Sequence, residues 1–544
     1  MTTAGGNLGI VVLAAGRGTR MRSERAKVLH TIAGKPLVLW VLDAALALGP
    51  SRVAVVVGHE ADEVRAVCER HLTARGAAGT RVSYPLQTEQ RGTGDAVRVA
   101  MPALADASGD VVILYGDVPA LTTATVARLI ARHRETGALL SLLTTTVDDP
   151  AGYGRIRRNA SGEVVAIVEE RDLPADEHGI REINPGIYCT SVAFLEKALA
   201  RLRDDNAQRE YYLTDIVATA VAEGGRVTSV AAENADEVAG INSRAELAAL
   251  EAGVRRALVE RWMQAGVTFR DPTSAYLEEG VTIGPDSEIG PNVQLLGRTR
   301  VGRGCRIDGM ALLRDVEIGD DVHLRLGTVA TECRIGDGAM IGPFAHLRPG
   351  SDLGPSVHIG NFVETKKARL GKGTKANHLT YLGDVEIGED TNVGAGTITC
   401  NYDGFAKHRT VIGSRVQIGS DTQLVAPVTV ADDVYIGAGT TVTRDVPEGH
   451  LVVSRVPQRQ VPGWVSRRRA KAASGTPAKA TGGAPAKPAE AARAAKVTPL
   501  ARATPKSTGA GRRTKKGRAK AAAKPTRQPP RKRARATGAR RGKR

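Results

Sequence analysis

At 544 residues the chain exceeds one ordinary domain, and 42% hydrophobic residues with only 3% aromatics call for cores built on aliphatic side chains. The net charge of +18 averages two unlike parts: from Ser466 onward 26 Lys and Arg face one acid, Glu490, which leaves 50 basic and 57 acidic residues before it. Five scattered cysteines (Cys68, Cys189, Cys305, Cys333 and Cys400) argue against a disulfide framework or a zinc site, and the lack of a leader or of an apolar run of about 18 residues points to a cytoplasmic protein.

The first element, Gly9 to Ala14, is a short apolar run of the kind found in buried parallel strands, and it empties into Leu13-Ala14-Ala15-Gly16-Arg17-Gly18-Thr19-Arg20-Met21. Helical and strand patterns then alternate: Leu37 to Leu48 helical, Val53 to Val57 strand, Ala61 to Leu72 helical, Val111 to Tyr115 strand. This predicts an α/β domain with a mainly parallel sheet, whose ligand sits at the carboxyl ends of the strands. The glycine loop is neither a dinucleotide fingerprint, since Met21 stands where the last Gly belongs, nor a Walker loop, which needs Gly-Lys-Ser/Thr. What remains is either an ordinary strand-to-helix turn or a loop whose amides cradle phosphate, with Arg20 and Lys27 as countercharges. Asp117, just past a strand end, reads as a turn residue or as a hard ligand for Mg²⁺.

Leu-x-x-Gly-x-Gly-Thr-Arg-Met with Lys27 six residues on resembles the sugar nucleotidyltransferases, although Ala26 replaces their usual Pro. Gln87-Thr-Glu-Gln-Arg-Gly92-Thr93-Gly, Tyr115-Gly-Asp117-Val-Pro119, Gly152-Tyr-Gly154, Glu169, Glu182-Ile-Asn184-Pro-Gly186 and Asn242 extend the resemblance. It implies a Rossmann-like domain joining a sugar 1-phosphate to a nucleoside triphosphate. Asp117 and Asn242 would hold Mg²⁺, and Leu13, Ala14, Ala15, Gly16 and Lys27 would meet the phosphates. Gln87, Gly92 and Thr93 would read a pyrimidine. Tyr115, Gly154, Glu169 and Asn184 would line the remainder of the UDP-sugar site.

A connecting helix follows: Ser243 and Glu246 spell a capping box, and Leu247, Leu250, Val254, Leu258 and Trp262 form one stripe before Gly266. From Ile283 to Val442 an aliphatic residue, often followed by Gly, returns every sixth position. Neither a helix nor a flat strand keeps that period, whereas a prism with six residues per side does, with the small residue relieving each corner. Such a solenoid is either a scaffold or an enzyme. The spacing resembles the hexapeptide-repeat acyltransferases, which implies a left-handed parallel β-helix and a homotrimer.

Two departures from six, between Ile359 and Leu370 and across 401–409, mark where a loop-borne site is expected. Around them lie Leu347-Arg348-Pro-Gly, Asn361-Phe-Val-Glu364-Thr-Lys366-Lys367 and Asn377-His378-Leu-Thr-Tyr381-Leu-Gly-Asp384. With the N-terminal motifs these are similar to the bifunctional N-acetylglucosamine-1-phosphate uridyltransferase and glucosamine-1-phosphate acetyltransferase family. The resemblance implies acetyl-CoA and UTP as co-substrates, His378 as the base that frees the amine, and Glu364 as the residue that orients it. Arg348, Lys366, Tyr381 and Asn392 would bind glucosamine phosphate. Ala395, Asn401, Tyr402, Ser420, Ala438 and Arg455 would form the acetyl-CoA site. Rival readings are a single-activity nucleotidyltransferase on a scaffold solenoid and a nucleic-acid-associated protein.

After Trp464, Ala, Pro, Lys, Arg, Gly and Thr take over, and Ser466 to Arg544 is expected to be a disordered basic tail, either a solubilising appendage or a polyanion-binding arm. The expected organisation is residues 1–244, a uridyltransferase domain; 245–265, a linker helix; 266–465, a hexapeptide-repeat acetyltransferase domain; and 466–544, the tail.

Overall fold

The computed structural model describes residues 8–76, 80–105, 109–454 and 457–474. Those up to Gln458 form one compact unit and those from Arg459 another. Strands Arg81–Ser83, Arg52–Val56, Gly9–Leu13 and Asp110–Tyr115 lie side by side and parallel. Both faces are covered, which explains why Gly9–Leu13 is apolar throughout. Ile10 and Val12 join one core beneath the helices Leu37–Leu46, Ala61–Arg75 and Thr123–Thr136. Val11 and Leu13 join the other, with Val97, Leu195 and Ile216.

The expectation of a mainly parallel sheet holds for this half, whereas the other half is mainly antiparallel, with Val227–Ala231 on Leu140–Thr146 its parallel pair. Tyr188–Ser191 pairs antiparallel with Asp110–Tyr115, Leu140–Thr146 pairs antiparallel with it, and Glu182–Asn184, Gly154–Arg158 and Val164–Val168 extend the sheet antiparallel. Of these pairs only Gly154–Arg158 with Val164–Val168 is joined by a short return; the others bring together strands distant in sequence.

The connecting helix Arg244–Gln264 starts as its sequence predicts, with Ser243 Oγ accepting from the Glu246 amide at 3.2 Å. The Glu246 carboxylate reaches one residue further back than a standard box and accepts from the Asn242 amide at 2.7 Å. The apolar stripe serves two cores. Leu247, Leu250, Val254 and Leu258 pack with Met21, Ile32, Ala33, Leu37 and Ile241, whereas Val259 and Trp262 pack on the first coils of the solenoid.

The hexad region is a three-sided prism of short parallel strands. Three inward columns run up it. One passes Ile283, Val301, Ile318, Ile335, Leu353, Leu370, Ile387, Ile412 and Val430. A second passes Ile289, Ile307, Leu324, Ile341, Ile359, Ala376, Val393, Ile418 and Ile436, and a third includes Leu295, Leu313, Ala330, Leu347, Thr365 and Leu382. The irregular step after Ile359 is therefore not an insertion, because Thr365 and Ala376 keep the columns with smaller side chains. The stretch 401–409 is an insertion, lying between partners Ile387 and Ile412 of successive coils.

The glycine that follows many of the column residues also has a different purpose from the expected one. A β-carbon at Gly284 would stand 2.6 Å from the Arg303 nitrogen, and one at Gly336 2.7 Å from the Gly354 carbonyl carbon, so the missing side chain makes room for the next coil. The left-handed turns fall two residues later, as at Asp286 and Asn292. Cys68, Cys189, Cys305 and Cys333 are buried and all five thiols are free.

The tail departs from expectation at its start: Trp464–Ala473 is a helix, because Ala, Arg and Lys favour that conformation even with every residue exposed. Arg455 and the rest of the tail, 475–544, lie outside the described residues. No helix among the described residues is long and apolar enough to cross a membrane.

Candidate active sites

The carboxyl ends of the parallel strands open onto a cavity of about 420 Å³. Leu13, Ala14, Ala15, Gly16, Lys27, Gln87, Gly92, Thr93, Tyr115, Asp117, Gly154, Glu169, Asn184 and Asn242 all line it. The structure thus gathers every residue expected for the nucleotide and its metal. Gly16 has open space where a β-carbon would stand, so substrate is free to approach its backbone. At one end of the cavity the buried Gln87 side-chain amide donates to Gly92 O at 3.2 Å and Asp95 Oδ2 at 3.0 Å. Gln90, without a role in the sequence reading, donates to Ala15 O at 2.9 Å and steadies the loop.

At the opposite end the Glu169 carboxyl accepts from Thr214 Oγ1 at 3.0 Å. Burial pushes its pKa up against that hydrogen bond, and the acids Asp215, Asp172 and Glu210 add to the rise. Asn184 is buried, donating to Tyr188 Oη at 2.7 Å and accepting from the Gly186 amide at 3.0 Å, so it shapes the wall as a fixed post. Tyr115 hydrogen-bonds Thr93, and burial raises its phenol pKa.

Lys27 forms an ion pair with Asp117 Oδ2 and donates to Asn242 Oδ1 at 3.1 Å. The two oxygens converge on one point. A carboxylate and an amide oxygen, with room for water and phosphate, fit the hard-ligand set of Mg²⁺. Ala26, where the family has Pro, takes φ −53° and ψ 136°, which a proline also adopts, but its amide donates to Glu60 Oε2 at 2.5 Å.

On the prism, Asn361, His378, Ala395, Ser420 and Ala438 occupy one corner position on five successive coils. The ladder bonds Gly396 N to His378 O, Asp421 N to Ala395 O and Gly439 N to Ser420 O tie the row together. His378 Nδ1 donates to Asn361 Oδ1 at 2.9 Å, which leaves Nε2 as the unprotonated nitrogen of the neutral ring. Glu364, expected to orient His378, does not: it accepts from Arg348 Nη1 at 2.7 Å. Asn361 went unassigned in the sequence, although it stands one coil before His378 and the spacing points to it.

On the same prism, Lys366 meets Lys407, whose proximity lowers the Lys366 pKa, with Arg348 adding to the effect. Lys407 reaches this place because the insertion closes on itself. Tyr402 bridges Lys407, and Asp403 accepts from the amides of Phe405 at 2.8 Å and Ala406 at 2.7 Å. The buried Asn401 donates to Asp384 at 2.5 Å, which anchors one end. Tyr381 pairs with Glu364 across the coils and Asn392 with Lys375. Arg348, Lys366 and Lys407 thus form one cluster of cations, in which Arg348 is also paired with Glu364.

Known proteins agree with this geometry. The MobA-like NTP transferase domain family matches residues 10–220, and the bacterial transferase hexapeptide family matches 332–367 and 409–444. The bifunctional protein GlmU of Sorangium cellulosum is 51% identical over 472 residues, covering 87% of this chain and 98% of its own. That of Pelobacter propionicus is 49% identical over 465 residues, 86% and 99%, and that of Mycolicibacterium gilvum 47% over 472, 86% and 94%. Identity of this level over nearly the whole length of each relative, joined to one chain that carries both the nucleotide cavity and the hexapeptide prism, shows that the chain belongs to the bifunctional GlmU family.

Proposed function

We propose that the chain makes UDP-N-acetylglucosamine in two steps at two separate sites. On the prism, glucosamine 1-phosphate is acetylated from acetyl-CoA. In the cavity, the product takes UMP from UTP and pyrophosphate leaves. The observation that carries the reading is a histidine with an open ring nitrogen on a row of small corner residues and a cation cluster on the same prism, in one chain with a glycine-loop cavity.

In the first step Arg348, Lys366 and Lys407 hold the sugar phosphate, with Tyr381 and Asn392 beside the ring. His378 Nε2 takes a proton from the 2-ammonium group or the attacking amine while Asn361 keeps the other ring nitrogen protonated. The amine attacks the thioester carbon, the C–S bond breaks, and the CoA thiolate leaves. Ala395, Ser420 and Ala438 offer backbone along which the donor's arm lies, and Asn401 and Tyr402 edge it.

In the second step a phosphate oxygen of N-acetylglucosamine 1-phosphate attacks the α-phosphorus of UTP, and the bond to the bridging oxygen of pyrophosphate breaks. Lys27 and the loop amides hold the anions in line. Gln87, Gly92 and Thr93 bound the uracil end, and Gly154, Glu169 and Asn184 the sugar end. Asp117 and Asn242 hold Mg²⁺, which when bound offsets phosphate charge.

The enzyme works in the cytoplasm as a homotrimer. In support, Phe344, Phe362 and Leu379 stand exposed at left-handed corners on adjoining coils next to the His378 row, with the two rings stacked at 5.8 Å. Bulky apolar residues at positive φ carry strain, which a second copy seated on them would offset.

Separate assays of acetyl and uridylyl transfer test the reading. His378→Ala is expected to lose the first and keep the second, and Asp117→Ala the reverse. Equal loss of both activities in either folded variant refutes two sites.

A further inference from the structure

The backbone behind the oxygen pair that fits a metal is fixed, and the lysine in front of it reaches the pair on a long side chain. Asp117 O accepts from the Ile241 amide at 3.0 Å, and the Asn242 amide is fixed by Glu246 at 2.7 Å. Lys27 enters across Gly18, which sits at φ +64° and whose β-carbon would stand 2.6 Å from Lys27 Cβ. Its ammonium, on a side chain 14% exposed, then satisfies both Asp117 and Asn242. Arg20 lines the same cavity, but no hydrogen bond or ion pair joins it to either oxygen among the described residues.

We propose that Lys27 is the placeholder of the cation site: in the free enzyme its ammonium occupies the Asp117 and Asn242 oxygens, and a divalent cation binds only by displacing it. An ammonium and a divalent cation repel one another at this range, and two oxygens do not serve both. The displaced lysine finds its new partner in the triphosphate of the incoming nucleotide beside the glycine loop. Metal and nucleotide therefore bind as a coupled pair, each strengthening the other by the same factor. Between turnovers the lysine keeps a half-buried carboxylate paired, which lessens the cost of an isolated charge. The proposal rests on the assignment of Asp117 and Asn242 to the metal.

The test is binding of Mn²⁺ alone, read by electron paramagnetic resonance, to full-length wild type, Lys27→Met, Lys27→Gln, Arg20→Met and Asp117→Asn without nucleotide. Both Lys27 variants are expected to bind Mn²⁺ about ten-fold more tightly than wild type, the effect of removing one competing interaction of about 1.4 kcal/mol. Arg20→Met, which removes equal charge from the same cavity, should change affinity far less. Lys27→Gln keeps length and polarity, so it serves should the Met variant fold poorly. Wild-type affinity in the folded Lys27 variants, or a gain no larger than that of Arg20→Met, overturns the placeholder while leaving the metal site standing. Binding that Asp117→Asn does not weaken overturns the metal assignment itself.

Discussion

His378 and Asn361 face each other across adjoining coils, ring nitrogen Nδ1 donating to the amide oxygen at 2.9 Å. The bond selects the tautomer whose Nε2 accepts a proton. Asn361→Ala should lower kcat for acetyl transfer by about ten-fold or more with little change in KM for acetyl-CoA, and Asn361→Asp should recover part of it. His378→Ala should cost roughly 10² to 10⁴, the usual span for a general base. Steady-state kinetics on both substrates checks each expectation, with uridylyl transfer as the internal control.

Lys407 should act as a binding residue. Its charge lowers the Lys366 pKa, so the two ammonium groups are poised for an anion that relieves their repulsion. Lys407→Ala should raise KM for glucosamine 1-phosphate several-fold with kcat nearly unchanged. The alkaline limb of kcat/KM should move to higher pH, because Lys366 regains its proton affinity. A pH series of initial rates reads both.

Glu169 should weaken the fold at neutral pH. Burial raises its pKa above the ordinary value of 4.5, so the folded state binds the proton more tightly than the unfolded state. The stability this affinity contributes is complete below about 4.5 and is lost as pH rises through the raised folded value. Glu169→Gln should therefore increase Tm at pH 7 and have less effect near pH 4, while impairing use of the sugar phosphate. Thermal unfolding at the two pH values provides the comparison.

Ala26→Pro should be destabilising despite a compatible backbone. Proline would gain about 0.4–1 kcal/mol from the unfolded chain, but it deletes the donor to Glu60, a charged hydrogen bond worth about 1.5–3 kcal/mol. The net loss should be about 1–2 kcal/mol by denaturant unfolding. In a Glu60→Ala background the same substitution should become neutral or stabilising, since no bond remains to lose.

Much of this architecture is written in local pattern. Gly9–Leu13 reads as a strand because both its faces are covered, and the column residues announce the prism because each is the inward member of a six-residue side. The antiparallel half of the sheet is harder to see: Glu182–Asn184 is three residues long and carries no period. The glycines were legible as residues but not in their purpose, since only the neighbouring coil reveals that a β-carbon at Gly284 meets Arg303. Within the sites, the cavity residues follow from motif and strand ends. Asn361 requires knowing that one coil separates it from His378, and Lys407 requires the fold of an insertion held by Asp403.

The row from His378 through Ala395 and Ser420 to Ala438 climbs three coils, about 14 Å at the usual spacing between strands. Because His378 and the small residues share one corner, a donor lying along the row as proposed would have its reach measured in whole coils. Lengthening or shortening that distance cannot be gradual. A solenoid of this kind adjusts its reach by gaining or losing one storey at a time, and each change leaves His378 and Asn361 on their own floors untouched.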